Sequence, residues 1–186
     1  MSLILVTGGV RSGKSRFAEE YVMREGKDPW LYFPTAYPTD QEMILRIDRH
    51  RKERDPRFRT LDPPAFASSF PDLLRCLEPY PPDSSVLLDG LGLLLSGMLE
   101  EQTDVPVENL VEKASFCLSF LMERKGLTVV VTEETGLGGI PMTPLGRRFA
   151  DLLGEVNQML ASRADFVYML VAGCVIPLRQ HPSESL

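Results

Sequence analysis

The segment Gly8-Gly9-Val10-Arg11-Ser12-Gly13-Lys14-Ser15, directly behind the apolar run Leu3–Val6, constrains this chain more than any other stretch. It fits G-x-x-x-x-G-K-[ST], where glycines let backbone N–H groups turn inward around an anion, the lysine reaches the outer phosphates and the serine hydroxyl takes Mg²⁺. Residues Lys14 to Met23 read as a helix whose positive N-terminal end adds to the same anion site. A chance glycine turn is the bland alternative. Strand, loop and helix falling in that order weigh against it.

A chain of 186 residues, 44% hydrophobic and 25% charged, fits one globular domain spanning 1–186 with a sizeable core. Its net charge of -6 argues against a general nucleic-acid surface, which needs a basic face. Cys76, Cys117 and Cys174 are scattered, with no C-x-x-C spacing, so neither zinc nor a disulfide framework is indicated and a reducing cytoplasm is the expected compartment. No stretch approaches the roughly 20 apolar residues of a membrane span.

Strand-length apolar runs recur at Leu3–Val6, Trp30–Phe33, Val86–Leu88, Leu127–Val131 and Phe166–Val171. Most are separated by segments with helical spacing, so a mostly parallel α/β sheet is predicted. The clearest helix runs from about Pro144 to Ala164, with Thr143 as N-cap; a second covers about Val107 to Lys125, with Gly126 closing it. Asp62-Pro63-Pro64 and Pro79 to Pro82 read as turns, and the tail from Pro177 to Leu186 as frayed.

Ligands of such sheets sit beyond the carboxyl ends of the strands. The candidates are therefore Gly8–Ser15, Pro34-Thr35-Ala36-Tyr37, Asp89-Gly90 and the stretch Thr132 to Gly139. Asp89, closing a buried strand, is placed to hold Mg²⁺ together with Ser15, or else it is the N-cap of the next helix. Glu133 and Glu134 are rivals for a metal or general-base role.

Residues Gln41 to Arg54 form an unusually basic helix for an acidic protein. Arg46, His50 and Arg54 stand at helical spacing on one face, with Met43, Ile44 and Ile47 directed at the core. A neutral imidazole flanked by guanidiniums can attack the α-phosphorus of a triphosphate, so His50 is a candidate for covalent nucleotidyl transfer. A solvated basic face carrying an incidental histidine is the alternative.

Three motifs together resemble the bifunctional adenosylcobinamide kinase/adenosylcobinamide-phosphate guanylyltransferase family of cobalamin biosynthesis, over nearly the whole chain. They are Thr7 to Glu19, read as T-G-G-x-R-S-G-K-S-R-x-A-E; Glu42 to His50, read as E-M-x-x-R-I-x-x-H; and Leu145 to Gln158, read as L-x-R-x-F-x-D-x-x-G-x-x-N-Q. The resemblance implies a P-loop NTPase (RecA-like) three-layer fold and His50 as the residue that carries GMP. It also implies nucleotide contacts from Gly8, Gly9, Val10, Arg11, Ser12, Gly13, Lys14, Ser15, Thr35, Ala36, Tyr37, Arg51, Lys52, Glu53, Arg54, Asp62 and Asp89. Lys14 and His50 are the implied catalytic pair, Mg²⁺ the cofactor on Ser15 and Asp89, GTP and ATP the nucleotides, adenosylcobinamide and its phosphate the acceptors, and a trimer the assembly. The chain departs from the family pattern in having Asp62 for Glu, Gly90-Leu91-Gly92 for Cys-x-Thr, and Thr132-Glu133-Glu134-Thr135-Gly136 for [ST]-N-E-V-G. A small-molecule P-loop kinase without a covalent histidine, or a non-catalytic GTP sensor, would use the same loop.

Overall fold

All five apolar runs become strands of one sheet in the computed structural model, which describes residues 2–36, 40–61 and 69–180, the side chains of Arg46 and Glu53 excepted. The elements in chain order are β1 (Ser2–Gly8), α1 (Lys14–Glu25), β2 (Trp30–Pro34), α2 (Gln41–Glu53), β3 (Phe58–Thr60), α3 (Phe70–Leu77), β4 (Ser85–Asp89), α4 (Leu91–Glu101), α5 (Val107–Met122), β5 (Leu127–Val131), α6 (Pro144–Arg163), β6 (Phe166–Val171) and β7 (Cys174–Arg179). The sheet order is β3-β2-β4-β5-β1-β6-β7, parallel except for the antiparallel pairing of β7 with β6.

Successive side chains of a strand point to opposite faces, and here both faces are covered, which is why the strands read as continuous apolar runs. Leu3, Leu5, Leu31, Phe33, Val86, Leu88 and Val130 pack beneath α3 to α6. Ile4, Val6, Trp30, Tyr32, Leu87, Val129 and Val131 face the other way, toward Ala18, Tyr21 and Val22 of α1. The expected α6 forms over Pro144–Arg163, its Thr143 side chain accepting from Gly146 N at 3.1 Å and its Leu152, Leu153, Val156 and Leu160 buried.

Two sequence expectations are corrected. Residues 177–179 are not frayed but belong to β7, whose Cys174 to Leu178 are exposed; an edge strand held by one neighbour needs no burial, and a proline is tolerated there. Gly126 does not close α5, which ends at Met122 with Glu123 as C-cap. Gly126 is instead required by crowding, since a Cβ there would lie 2.5 Å from Asp83 O and nearer still to Ser84 O, both backbone atoms.

Gly126→Ala is therefore expected to destabilise the chain by about 1–3 kcal/mol, the usual cost of forcing extra volume against fixed backbone. A denaturant midpoint unchanged from the parent would show that the approach of Gly126 to residues 83–84 is not a constraint.

Candidate nucleotide-binding site

The loop between β1 and α1 is tied down at both sides. Gly8 has φ +146 and lies so close to Leu170 O that no side chain fits. Ser12 N donates to Gly9 O at 3.3 Å, and Gly173 N, in the turn between β6 and β7, donates to Ser12 O at 3.0 Å. Lys14 is buried, and its Nζ donates to Gly8 O at 2.9 Å and Gly9 O at 2.7 Å, curling over the loop. Gly13 precedes α1 without a side-chain cap, and the first turn carries no acidic residue, so the positive helix end is not offset locally. Gly9, Val10 and Arg11 are exposed, and Ser15 is half-buried.

Parallel register sets the opposite wall. Val6 pairs with Val131 and Val131 with Asp89, so the three share one level across β1, β5 and β4. Asp89 therefore stands roughly 10 Å, two strand spacings, from the strand that launches the loop. Its side chain is not an N-cap: Gly90 occupies that position of α4, while Asp89 Oδ2 accepts from the Tyr32 hydroxyl at 2.6 Å. Burial, with the Asp89 carboxylate beside it, holds the Tyr32 phenol protonated well above its ordinary range. Thr35 is buried and spends its hydroxyl on the same turn, donating to Gly90 O at 2.6 Å and accepting from Gly90 N at 2.9 Å. Ala36 is half-buried just beyond it, whereas Tyr37 and Asp62 lie outside the described residues.

Glu133 follows β5, between the loop and Asp89. Its Oε2 accepts from Gly92 N at 3.2 Å. A Cβ on Gly92 would collide with Oε2, and one on Gly90 would come within 3.0 Å of Oε1. Gly90 and Gly92 thus leave open the volume that the Glu133 carboxylate occupies. Burial, and then nearby Asp89, push the Glu133 carboxyl above its usual range, partly opposed by Lys14 and the Gly92 N–H. Asn157 of α6 holds the segment, accepting from Thr132 Oγ1 at 2.7 Å and donating to Glu133 O at 3.0 Å. Glu134 is fixed by its backbone, its N donating to Gly8 O at 3.4 Å.

The basic helix α2 forms with Asp40 as N-cap, its side chain accepting from Met43 N at 2.8 Å. Its packing differs from expectation. No described side chain of α2 is buried: Met43 and Ile47 are half-buried, Ile44 is 39% and Leu45 60% exposed. His50, Arg51 and Lys52 are exposed. Arg54 does not continue the face of His50, because the helix ends at Glu53 and Arg54 is extended (φ −71, ψ 141). Its guanidinium lies 3.3 Å from the centroid of the Tyr32 ring and donates to Thr60 Oγ1 at 2.8 Å. Arg54 is thereby turned inward, while Arg51 and Lys52 stay on the surface beside His50.

A glycine-framed loop and its lysine at the carboxyl edge of this sheet make the chain a P-loop NTPase in fold. A solved ATPase domain shares that fold, with TM-score 0.55 at 12% identity, covering 98% of this chain and 78% of that one. Sequence relatives are more specific. The bifunctional adenosylcobalamin biosynthesis protein CobP of Pseudomonas aeruginosa is 37% identical over 182 residues, 96% of this chain and 98% of that protein. CobU of Salmonella typhimurium, with the same description, is 35% identical over 188 residues, 95% and 99%. A profile described as cobinamide kinase / cobinamide phosphate guanyltransferase matches residues 4–178, and the chain belongs to that family. It is an enzyme of cobalamin biosynthesis.

The role of Tyr32, the contacts of the motif residue Asn157 and the inward turn of Arg54 are not evident from the sequence. A buried phenol within an apolar strand does demand a hydrogen-bond partner, but a sequence does not say which one.

A carboxyl whose folded pKa is raised contributes stability that is fully present below the unfolded pKa and is lost as pH rises through the folded value. Glu133→Gln is therefore expected to be more stable than the parent at neutral pH, the gap closing toward about pH 4, where both side chains are neutral. Urea denaturation across that range checks it; a parent chain that is the more stable at neutral pH contradicts the assignment.

Proposed function

We propose that the chain catalyses two transfers, the phosphorylation of adenosylcobinamide and the guanylylation of adenosylcobinamide phosphate through a GMP adduct on His50. The observation that carries this reading is the exposed His50, flanked by exposed Arg51 and Lys52, on a helix separate from the loop that holds Lys14. Phosphate handling and nucleophile thus lie on different elements.

In the first transfer the side-chain hydroxyl of adenosylcobinamide attacks the γ-phosphorus of ATP or GTP, the bond to the β-phosphate oxygen breaks, and ADP or GDP leaves as the hydroxyl proton is released. Lys14 and the loop N–H groups stabilise charge on the phosphoryl group as it moves. In the second, a His50 ring nitrogen attacks the α-phosphorus of GTP, the bond to the β-phosphate oxygen breaks and pyrophosphate leaves. A phosphate oxygen of adenosylcobinamide phosphate then displaces His50, giving adenosylcobinamide-GDP and the free imidazole. Arg51 and Lys52 supply positive charge beside the α-phosphate.

Mg²⁺ fits the donors present. Ser15 offers a hydroxyl and Asp89 a carboxylate whose Oδ1 is left beside the Tyr32-bound Oδ2, a hard-oxygen pair of the sort this ion takes together with substrate phosphates. When bound it would neutralise charge on the phosphate oxygens. Thr35, Ala36, Tyr37, Asp62 and the 51–54 segment complete the nucleotide contacts in this reading, with Thr35 and Arg54 acting by shaping the site. The reading includes a homotrimer, supported by the exposed apolar side chains of Ile44 and Leu45 on α2, and a cytoplasmic setting, in keeping with three cysteines that show no C-x-x-C spacing.

Incubation with α-labelled GTP and Mg²⁺, followed by denaturation, should leave an acid-labile, base-stable label on the protein that His50→Asn abolishes. A wild-type chain that stays unlabelled at saturating GTP excludes guanylyl transfer by this route and leaves a simple P-loop kinase. Transfer of γ-label to adenosylcobinamide should be lost in Lys14→Ala, by at least about 100-fold as expected for removing a group that stabilises transition-state charge.

A further inference from the structure

We propose that Tyr32 and Arg54 are positioning residues that tie the end of the His50 helix to the orientation of the Asp89 carboxylate. Arg54 stands at a crossing of four elements. It follows α2 directly, its Nη1 donates to Thr60 on β3 at 2.8 Å, its Nε lies 3.8 Å from Glu19 Oε1 on α1, and its plane covers the ring of Tyr32 on β2 at 3.3 Å. The arginine side chain is only 6% exposed, and its Nε is buried without a hydrogen-bond partner among the described residues. A buried guanidinium persists only where its surroundings hold it, so stack, hydroxyl and carboxylate together specify this placement.

Tyr32 passes the constraint on. Its ring is clamped by Arg54 on one side and meets Phe58 edge-on at 6.1 Å, and its hydroxyl donates to Asp89 Oδ2 at 2.6 Å. One carboxylate oxygen is thereby fixed and the other is aimed by default. Arg54 comes four positions after His50, so a displacement of the end of α2 that lifts Arg54 from the ring loosens the grip on Asp89. The chain Glu19–Arg54–Tyr32–Asp89 links the helix of the loop, the helix of the histidine and the metal-side carboxylate through contacts already made.

The inference rests on the reading of Asp89 as a cation ligand given above. Calorimetric titration of the full chain with GTP, without and with Mg²⁺, tests it, because the ratio of the two affinities within each variant cancels a general loss of stability. Tyr32→Phe keeps the ring and removes the hydroxyl. Its metal-free GTP affinity should match the parent, while the gain conferred by Mg²⁺ falls about tenfold, the effect of losing a hydrogen bond to a charged group. Arg54→Lys keeps the charge and loses the planar stack; it should lose a similar part of the gain, and the double variant should be no worse than either single one. Amide exchange supplies an independent readout: Arg54→Lys should accelerate exchange at the end of α2, and Tyr32→Phe should not. A Mg²⁺ gain kept intact by Tyr32→Phe, or losses that add in the double variant, overturns this inference alone. A parent chain with no Mg²⁺ gain overturns it together with the cation role of Asp89.

Discussion

The parallel pairing that places Val6, Val131 and Asp89 at one level is the constraint on which the rest of the site depends. All three strands end at or near that level, so the loop after β1, the Thr132-Glu133 segment after β5 and the Asp89-Gly90 turn after β4 emerge side by side. Register in a sheet buried on both faces is strongly specified, because a one-residue slip would exchange the side chains packed beneath α3 to α6 with those packed beneath α1. The site inherits its precision from the core.

Around that level, several polar groups are paired across neighbouring segments, while the buried hydroxyls of Thr7 and Ser12 have no partner among the described residues. Thr35 binds the end of β2 to Gly90, and Asn157 reaches from α6 to Thr132 and Glu133. Gly173 secures the loop from the far side. Glu133 is the outlier: a carboxylate in a partly buried position, closer to Asp89 than electrostatics favours, admitted because Gly90 and Gly92 leave the volume empty.

The helix α2 is organised differently. Its body is bound by little of the core, yet the residue just past its end is buried against Tyr32. Under the proposed function, a helix with no described side chain buried and fastened at one end suits a nucleophile that approaches a triphosphate held elsewhere, since fastening limits where the helix can go while exposure of His50 leaves the imidazole accessible.

Much of the fold was legible without coordinates. Five apolar runs, the helix over 144–163 and the loop Gly8–Ser15 are local patterns of hydrophobicity, capping and glycine, and local patterns survive in one dimension. β3 and β7 were not legible: the first is three residues long, and the second is exposed along nearly all its length, so neither carries a burial signature. The motif glycines, Lys14, Asp89 and the basic character of the His50 segment belong to the sequence, because each rests on residue type and spacing along a single strand, loop or helix. What only the tertiary structure decided is direction. It turned Arg54 inward onto Tyr32, gave Asp89 a phenol instead of a helix cap, and set Glu133 against two glycines. Each of those outcomes depends on which strand ends lie adjacent, and adjacency is created by sheet order between residues far apart in the chain or, for Arg54, by the point at which its helix stops.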